Sequence, residues 1–222
     1  HANLRGVNLG GWLLMERFIV GGADELETTC CGAIRSPYAG TDCLEANAEL
    51  ALTRMLRKRG RLDLIDEFRD KYVSRADFAR MKAQGLNAVR VPFGYWIVSD
   101  TAFPSDYYTG RGVEYLDDAV RWAEDFGLKV ILDLHGAPGS QNGKQTSGEE
   151  SPDWRPARFD VNATVRILEL LAQRFGKRRA VIGLELLNEP ELPVEVSLDL
   201  YERAIPAIRT AGMAPEHVAV VL

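Results

Sequence analysis

The sequence predicts an α/β protein built as a (β/α)8 TIM barrel, of which this chain supplies roughly the first five strands. Near-continuous apolar runs of strand length recur at 4–9, 87–91, 129–134, 181–187 and 218–222, the pattern of parallel strands covered on both faces. Amphipathic segments that stop at glycines separate them. Polar residues fall at the C-terminal ends of successive runs: Asn8, then Trp12 and Glu16; Arg90; His135; Asn188 and Glu189. In a closed barrel all those ends converge on one mouth, whereas an open doubly wound sheet concentrates its ligand groups at a single switch crevice.

The elements follow in order. The first strand ends at Gly10 and Gly11, which allow a tight exit, and Trp12 offers apolar packing beside the mouth. Residues 20–61 form a large insertion, part loop and part helix, that carries Cys30, Cys31 and Cys43. Their spacing is not that of a zinc site. A Cys30–Cys43 or Cys31–Cys43 bridge would place the chain in an oxidising compartment. The basic run 54–61 is followed at once by Asp63, Asp66 and Glu67, which reads as a solvated, ion-paired surface. Ser74 opens a helix with Asp77 in capping-box spacing, and Gly85 stops it. Further helices end at Gly127 and Gly176, and Asn162-Ala163-Thr164 fits a glycosylation acceptor. The helix over 194–210 contains Pro206, so a kink or early end is expected there. No linker or low-complexity segment divides the chain, which reads as one incomplete barrel domain over 1–222.

Composition narrows the function. At 222 residues and 46% hydrophobic, the chain can bury a sizeable core. A net charge of −5 gives no electrostatic reason to expect a nucleic-acid or anionic-membrane partner. No stretch approaches the roughly 20 apolar residues that span a bilayer, and the N-terminus does not look like a signal peptide.

Strand parity adds a specific expectation. Counting in twos from Glu189, His135 and Arg90 puts Glu185, Asp133 and Arg90 on one face. Buried charges of opposite sign offset their desolvation only as a hydrogen-bonded group, so a network centred on Arg90 is expected under the mouth. "HGAPGSQNGK" is not a phosphate loop: three residues rather than four separate Gly139 from Gly143, and Gln145 follows Lys144.

Taken together, "RGVNLGGWLLME", "NAVRVPFGYW", "LDLHGAPGSQNG" and "GLELLNEP" resemble the exo-β-1,3-glucanase branch of glycoside hydrolase family five, retaining enzymes on a (β/α)8 barrel. The cysteine-bearing insertion is unlike the fungal members, and Lys144-Gln145 departs from their aromatic and aspartate after "QNG". The resemblance implies Arg90, His135, Asn188 and Glu189 as active-site residues, with Glu16 and Asn142 as sugar contacts. Retention needs two carboxyl groups about 5–5.5 Å apart. Glu189 suits the general acid/base, Asn188 can hold the sugar 2-hydroxyl, and the Arg90 guanidinium can keep a nucleophilic carboxylate ionised. His135 can donate or accept at a hydroxyl. Gln141 and Asn142 are expected exposed for sugar hydroxyls, and Glu16 would clamp two neighbouring hydroxyls of a terminal glucose.

A full barrel needs roughly 250 residues and eight strands. The nucleophile glutamate is therefore expected outside this chain, as is the remainder of the barrel that partners it. The expected substrate is β-1,3-glucan, cleaved to glucose from chain ends outside the cell or at the cell wall. Other readings are another β-glucosidase or transglycosylase of the same fold, and a catalytically silent β-glucan-binding protein. This chemistry calls for no cofactor or metal.

Overall fold

The computed structural model describes residues 3–20, 46–98, 105–215 and 219–221. Its elements are β1 (Gly6–Asn8), α1 (Arg17–Val20), α2 (Glu49–Lys58), α3 (Asp63–Tyr72), α4 (Arg75–Ala83), β2 (Ala88–Gly94), α5 (Glu114–Phe126), β3 (Lys129–Gly136), α6 (Val161–Phe175), β4 (Val181–Glu185), α7 (Val194–Thr210) and β5 (Ala219–Val221). The five strands are all parallel and lie side by side in chain order. That order has no reversal, hence no switch crevice, and is the wall that successive βα units of a barrel build.

Alternation along the strands divides the wall into two faces. Val89, Val91 and Phe93 of β2 and Val130, Leu132 and Leu134 of β3 are fully buried, in one cluster with residues of α4, α5, α6 and α7. The intervening residues Arg90, Asp133 and His135 face the other way and meet one another, as the period of two requires. A second cluster, built from Met15, Leu52, Met55, Leu56, Ile65 and Phe68, packs α2 and α3 onto the segment after β1.

Several expectations are modified. The strand read as 87–91 runs on to Gly94 through Pro92, whose fixed φ suits an extended chain and whose missing N–H removes one ladder donor. Burial on both faces fails at β1, where all three residues are exposed, because β1 is an edge of this sheet with β2 as its one neighbour. The fourth strand ends at Glu185 rather than 187. Around Pro206 the helix continues to Thr210; Pro206 and Glu202 are both exposed, so water can take the carbonyl left without its intrahelical donor. Trp12 lies in the core, stacked near Trp122 at 6.5 Å and donating from Nε1 to the Arg69 carbonyl at 2.8 Å, instead of at the mouth. The basic run is ion-paired as expected, but its Arg54 meets the distant Asp106 at 2.7 Å. The cysteine bridge lies outside the described residues.

Helix α5 shows how the punctuation works. Gly127 adopts φ 65°, and the Leu128 N–H returns to the Ala123 carbonyl at 2.8 Å, closing the helix end. A Cβ on Gly127 would meet only Lys82 Nζ at 3.6 Å, so the glycine serves conformation and not space. Gly127→Ala in the full-length protein is expected to lower stability by about 1 kcal/mol, read from the denaturant midpoint at unchanged m.

Candidate active site

Arg90 projects from β2 and is held by groups from four other segments. Its Nε and Nη2 grip Glu185 of β4 at 2.8 and 2.7 Å in a two-point fork. Nη2 also lies 2.9 Å from Asp133 Oδ2 on β3 and donates to Asn188 Oδ1 at 3.1 Å. Nη1 donates to Asn8 Oδ1 on β1 at 3.1 Å. Asn8 faces Arg90 in register, and Asp133 faces Glu185, so strand pairing itself brings these charges together. The network expected from parity is present, with Arg90 at its centre.

Asp133 has a second partner. His135, two residues along the same face, brings Nδ1 to 2.6 Å from Asp133 Oδ2, and its Nε2 lies 3.7 Å from Glu16 Oε1. Burial opposes the imidazolium, but the bonds to Asp133 and Glu16 outweigh it and raise His135 to about 9. His135 is therefore a cation at neutral pH. Burial pushes the Asp133 carboxyl above the ordinary carboxylate range despite the neighbouring His135 and Arg90. Glu16 is buried and turned toward His135, which excludes a surface pair as its main environment. Gly10 packs closely beside it: a Cβ there would stand 3.0 Å from Ile19 Cδ1 and 3.1 Å from Asn8 Nδ2.

The loop after β3 and the loop after β4 form the rim. Gln141, expected exposed for hydroxyls, is fully buried: its amide donates to the carbonyls of His135 at 2.7 Å and Asn188 at 2.9 Å. It stitches the end of β3 to the loop after β4 and gives both buried carbonyls a donor. Asn142 is also turned inward. Its Nδ2 reaches the Glu189 carbonyl at 3.2 Å and its Oδ1 accepts from the Lys144 N–H at 3.0 Å, so both ends of its amide are engaged by protein. Asn188 is buried between Arg90 and His135, and Glu189 beside it is exposed. Glu189 lies four residues past the end of β4, not at the strand terminus. Lys144 and Glu191 form an exposed ion pair across the same two loops.

Backbone strain gathers here. Among the described residues, Ser140 and Glu189 are the non-glycine positions with positive φ, at 63° and 43°. Such conformations persist where surroundings over-determine them. For Ser140 the surroundings include Trp154, whose Nε1 donates to the Gly139 and Ser140 carbonyls, both at 3.1 Å. Gly139 is obligatory, since a Cβ there would lie 1.8 Å from the Arg158 carbonyl oxygen. Sequence reasoning missed Trp154, which sits in an aperiodic stretch with nothing to signal a long-range contact.

A groove of about 350 Å³ elsewhere, lined by Leu50, Arg54, Tyr95, Asp106, Glu149 and Arg158 among others, includes none of Glu16, His135 or Glu189. Its charges are satisfied by one another, Arg54 with Asp106 and Arg158 with Glu149. Among the described residues no group of three His, Cys, Asp or Glu side chains could hold a metal ion.

Carboxylates ordered by a guanidinium at the C-terminal ends of barrel strands point to a glycoside hydrolase, and comparison with known proteins gives the same class. Residues 59–221 match the family described as Cellulase (glycosyl hydrolase family 5), and the chain belongs to that family. It is 36% identical over 212 residues to the probable glucan 1,3-beta-glucosidase A of Neosartorya fischeri, covering 93% of this chain and 47% of that protein. It is 37% identical over 196 residues to the protein of the same name from Aspergillus niger, covering 88% and 43%. The chain thus spans about half the length of the curated relatives it matches. The crystal structure of rutinosidase from Aspergillus niger superposes with a TM-score of 0.71 at 19% identity over 97% of this chain and 61% of that one, a likeness of fold alone.

The raised His135 pKa has a thermodynamic counterpart. Because it lies above the ordinary 6.5, its contribution to stability is complete below about pH 6.5 and disappears as pH rises through about 9. On the order of 2–3 kcal/mol of the unfolding free energy should be lost over that window in the full-length protein, and the slope should vanish in His135→Asn. Denaturant titrations at stepped pH measure it.

Proposed function

We propose that the protein is a retaining exo-β-1,3-glucanase that releases glucose from the chain ends of β-1,3-glucan. The observation that carries this reading is Asn188, bonded to Arg90 and to His135 and followed by the exposed Glu189, with Glu16 on the far side of the His135 ring, in a chain similar along most of its length to proteins named probable glucan 1,3-beta-glucosidase A.

Each group then has a task. Glu189, exposed on the rim, protonates the departing glycosidic oxygen and afterwards takes the proton of the incoming water. Asn188 holds the sugar 2-hydroxyl, where a hydrogen bond strengthens as positive charge develops on the ring. The nucleophile is a carboxylate supplied from outside these 222 residues, by the rest of the barrel. Arg90 cannot lose its proton and so keeps that carboxylate ionised. Glu16 accepts hydrogen bonds from two hydroxyls of the terminal glucose, and the His135 cation donates to a third. Asn142, engaged with the Glu189 carbonyl, fixes the acid's main chain rather than touching sugar directly. A polymeric glucan substrate places the protein outside the cell, at the cell wall.

Glu189→Gln in the full-length enzyme should lower hydrolysis of β-1,3-glucan oligosaccharides by about 10²–10⁴-fold. An aryl glucoside with a good leaving group should be affected far less in its first step, because that group departs without protonation. Full glucanase activity in Glu189→Gln would overturn the acid/base assignment. A wild-type protein that binds glucan without cleaving or transferring it would be a silent binder. Predominant oligosaccharide products longer than the substrate would mark a transglycosylase.

A further inference from the structure

Glu49 is the most completely buried carboxylate that the proposed chemistry leaves unused. It opens α2 with no exposed surface and accepts three hydrogen bonds. Oε1 takes Arg69 Nη2 at 2.8 Å and Trp96 Nε1 at 2.9 Å. Oε2 takes the backbone N–H of Met15 at 2.7 Å. Arg69 is fixed in turn by the carbonyls of Thr109 at 3.0 Å and Tyr108 at 3.3 Å. One side chain therefore ties together α2, α3, the segment after β2 and the segment after β1.

A buried ion pair is a poor device for stability alone, since hydrophobic residues of the same volume are commonly as good or better. What a carboxylate does here that a hydrocarbon cannot is hold a main-chain N–H in a fixed direction. That N–H belongs to the residue before Glu16. Met15 is also gripped through its fully buried side chain, so its peptide has little freedom. Glu16 then starts the short turn α1, its own carbonyl accepting from Ile19 at 2.9 Å and Val20 at 3.0 Å. With the main chain fixed on both sides, the Glu16 carboxylate is left facing His135.

We propose that Glu49 is a positioning residue for Glu16: by holding the Met15 N–H from within the core, it aims the Glu16 carboxylate at His135 and at the glycone hydroxyls. The second half of this statement rests on the sugar-clamp role given to Glu16 above; the first half does not. Glu49→Gln keeps the shape but replaces one acceptor oxygen by an amide that faces a donor, loosening either the Met15 or the Arg69–Trp96 side.

The test uses the full-length protein with Glu49→Gln, Glu49→Asp and a destabilising reference, Leu168→Ala, from α6, equally buried and outside the cluster that holds Met15. Three quantities are read: Tm, the His135 pKa by histidine ring NMR, and KM against kcat on a β-1,3-glucan oligosaccharide. Glu49→Gln should lower the His135 pKa by about one pH unit, as one of its two carboxylate partners withdraws. It should raise KM about tenfold with a smaller change in kcat, as expected for lost ground-state binding. Leu168→Ala should lower Tm comparably and leave both quantities near wild type. Glu49→Asp, too short to reach Met15 and Arg69 together, gives the same readout if the Gln variant does not fold. An unchanged His135 pKa in a folded Glu49 variant, or an equal shift in Leu168→Ala, overturns the proposal. A shifted His135 pKa with KM unchanged in both Glu49→Gln and Glu16→Gln upholds the positioning and removes the sugar clamp instead.

Discussion

The structure is organised by one requirement: a guanidinium that cannot be neutralised by losing its proton has been placed on the inner face of a parallel sheet. Arg90 must be answered by anions and acceptors, and four segments of chain supply them, Asn8, Asp133, Glu185 and Asn188. Removing any one would leave the others under-compensated in a partly desolvated place, which is why breaking such groups is more harmful than never having built them. The same requirement sets the register of β1 against β2 and of β3 against β4, because a slip by one residue would carry these side chains to the apolar face.

His135 extends this network outward. Asp133 is shared between the guanidinium and the imidazole, and Glu16 approaches the far side of the ring. The result is a line of alternating charge from the sheet to the rim, two cations among three carboxylates. Alternation of this kind offsets part of the cost of burying the charges, and it gives the rim a pattern of donors and acceptors suited to a polyhydroxyl ligand.

Much of this was legible in the sequence and some was not. The strand runs, the helix stops at Gly127 and the shared face of Arg90, Asp133 and Glu185 follow from periodicity and parity, which act within a few residues. The errors lie where contacts distant in sequence decide. Gln141 looks like a ligand group because it stands in a glycine-rich loop, yet the carbonyls of His135 and Asn188 draw its amide inward. Trp12 was placed at the mouth by its position after β1, but the large ring found Tyr115 and Trp122 in the helix layer. Glu49 carried no local mark at all; its partners come from positions 15, 69 and 96.

The Lys144–Glu191 bridge deserves a last comparison with the charges beneath it. Both of its partners are more than half exposed, at 57% and 52%, so water and salt screen the attraction and the bond adds little to stability. It is a weak tie over a strong one: Arg90, Asp133 and His135 below it meet partners that water reaches far less. Exchanges at these two positions would then change how the loops after β3 and β4 are held to each other without disturbing the charges beneath, so the surface of the rim and its buried support are free to diverge independently over evolutionary time.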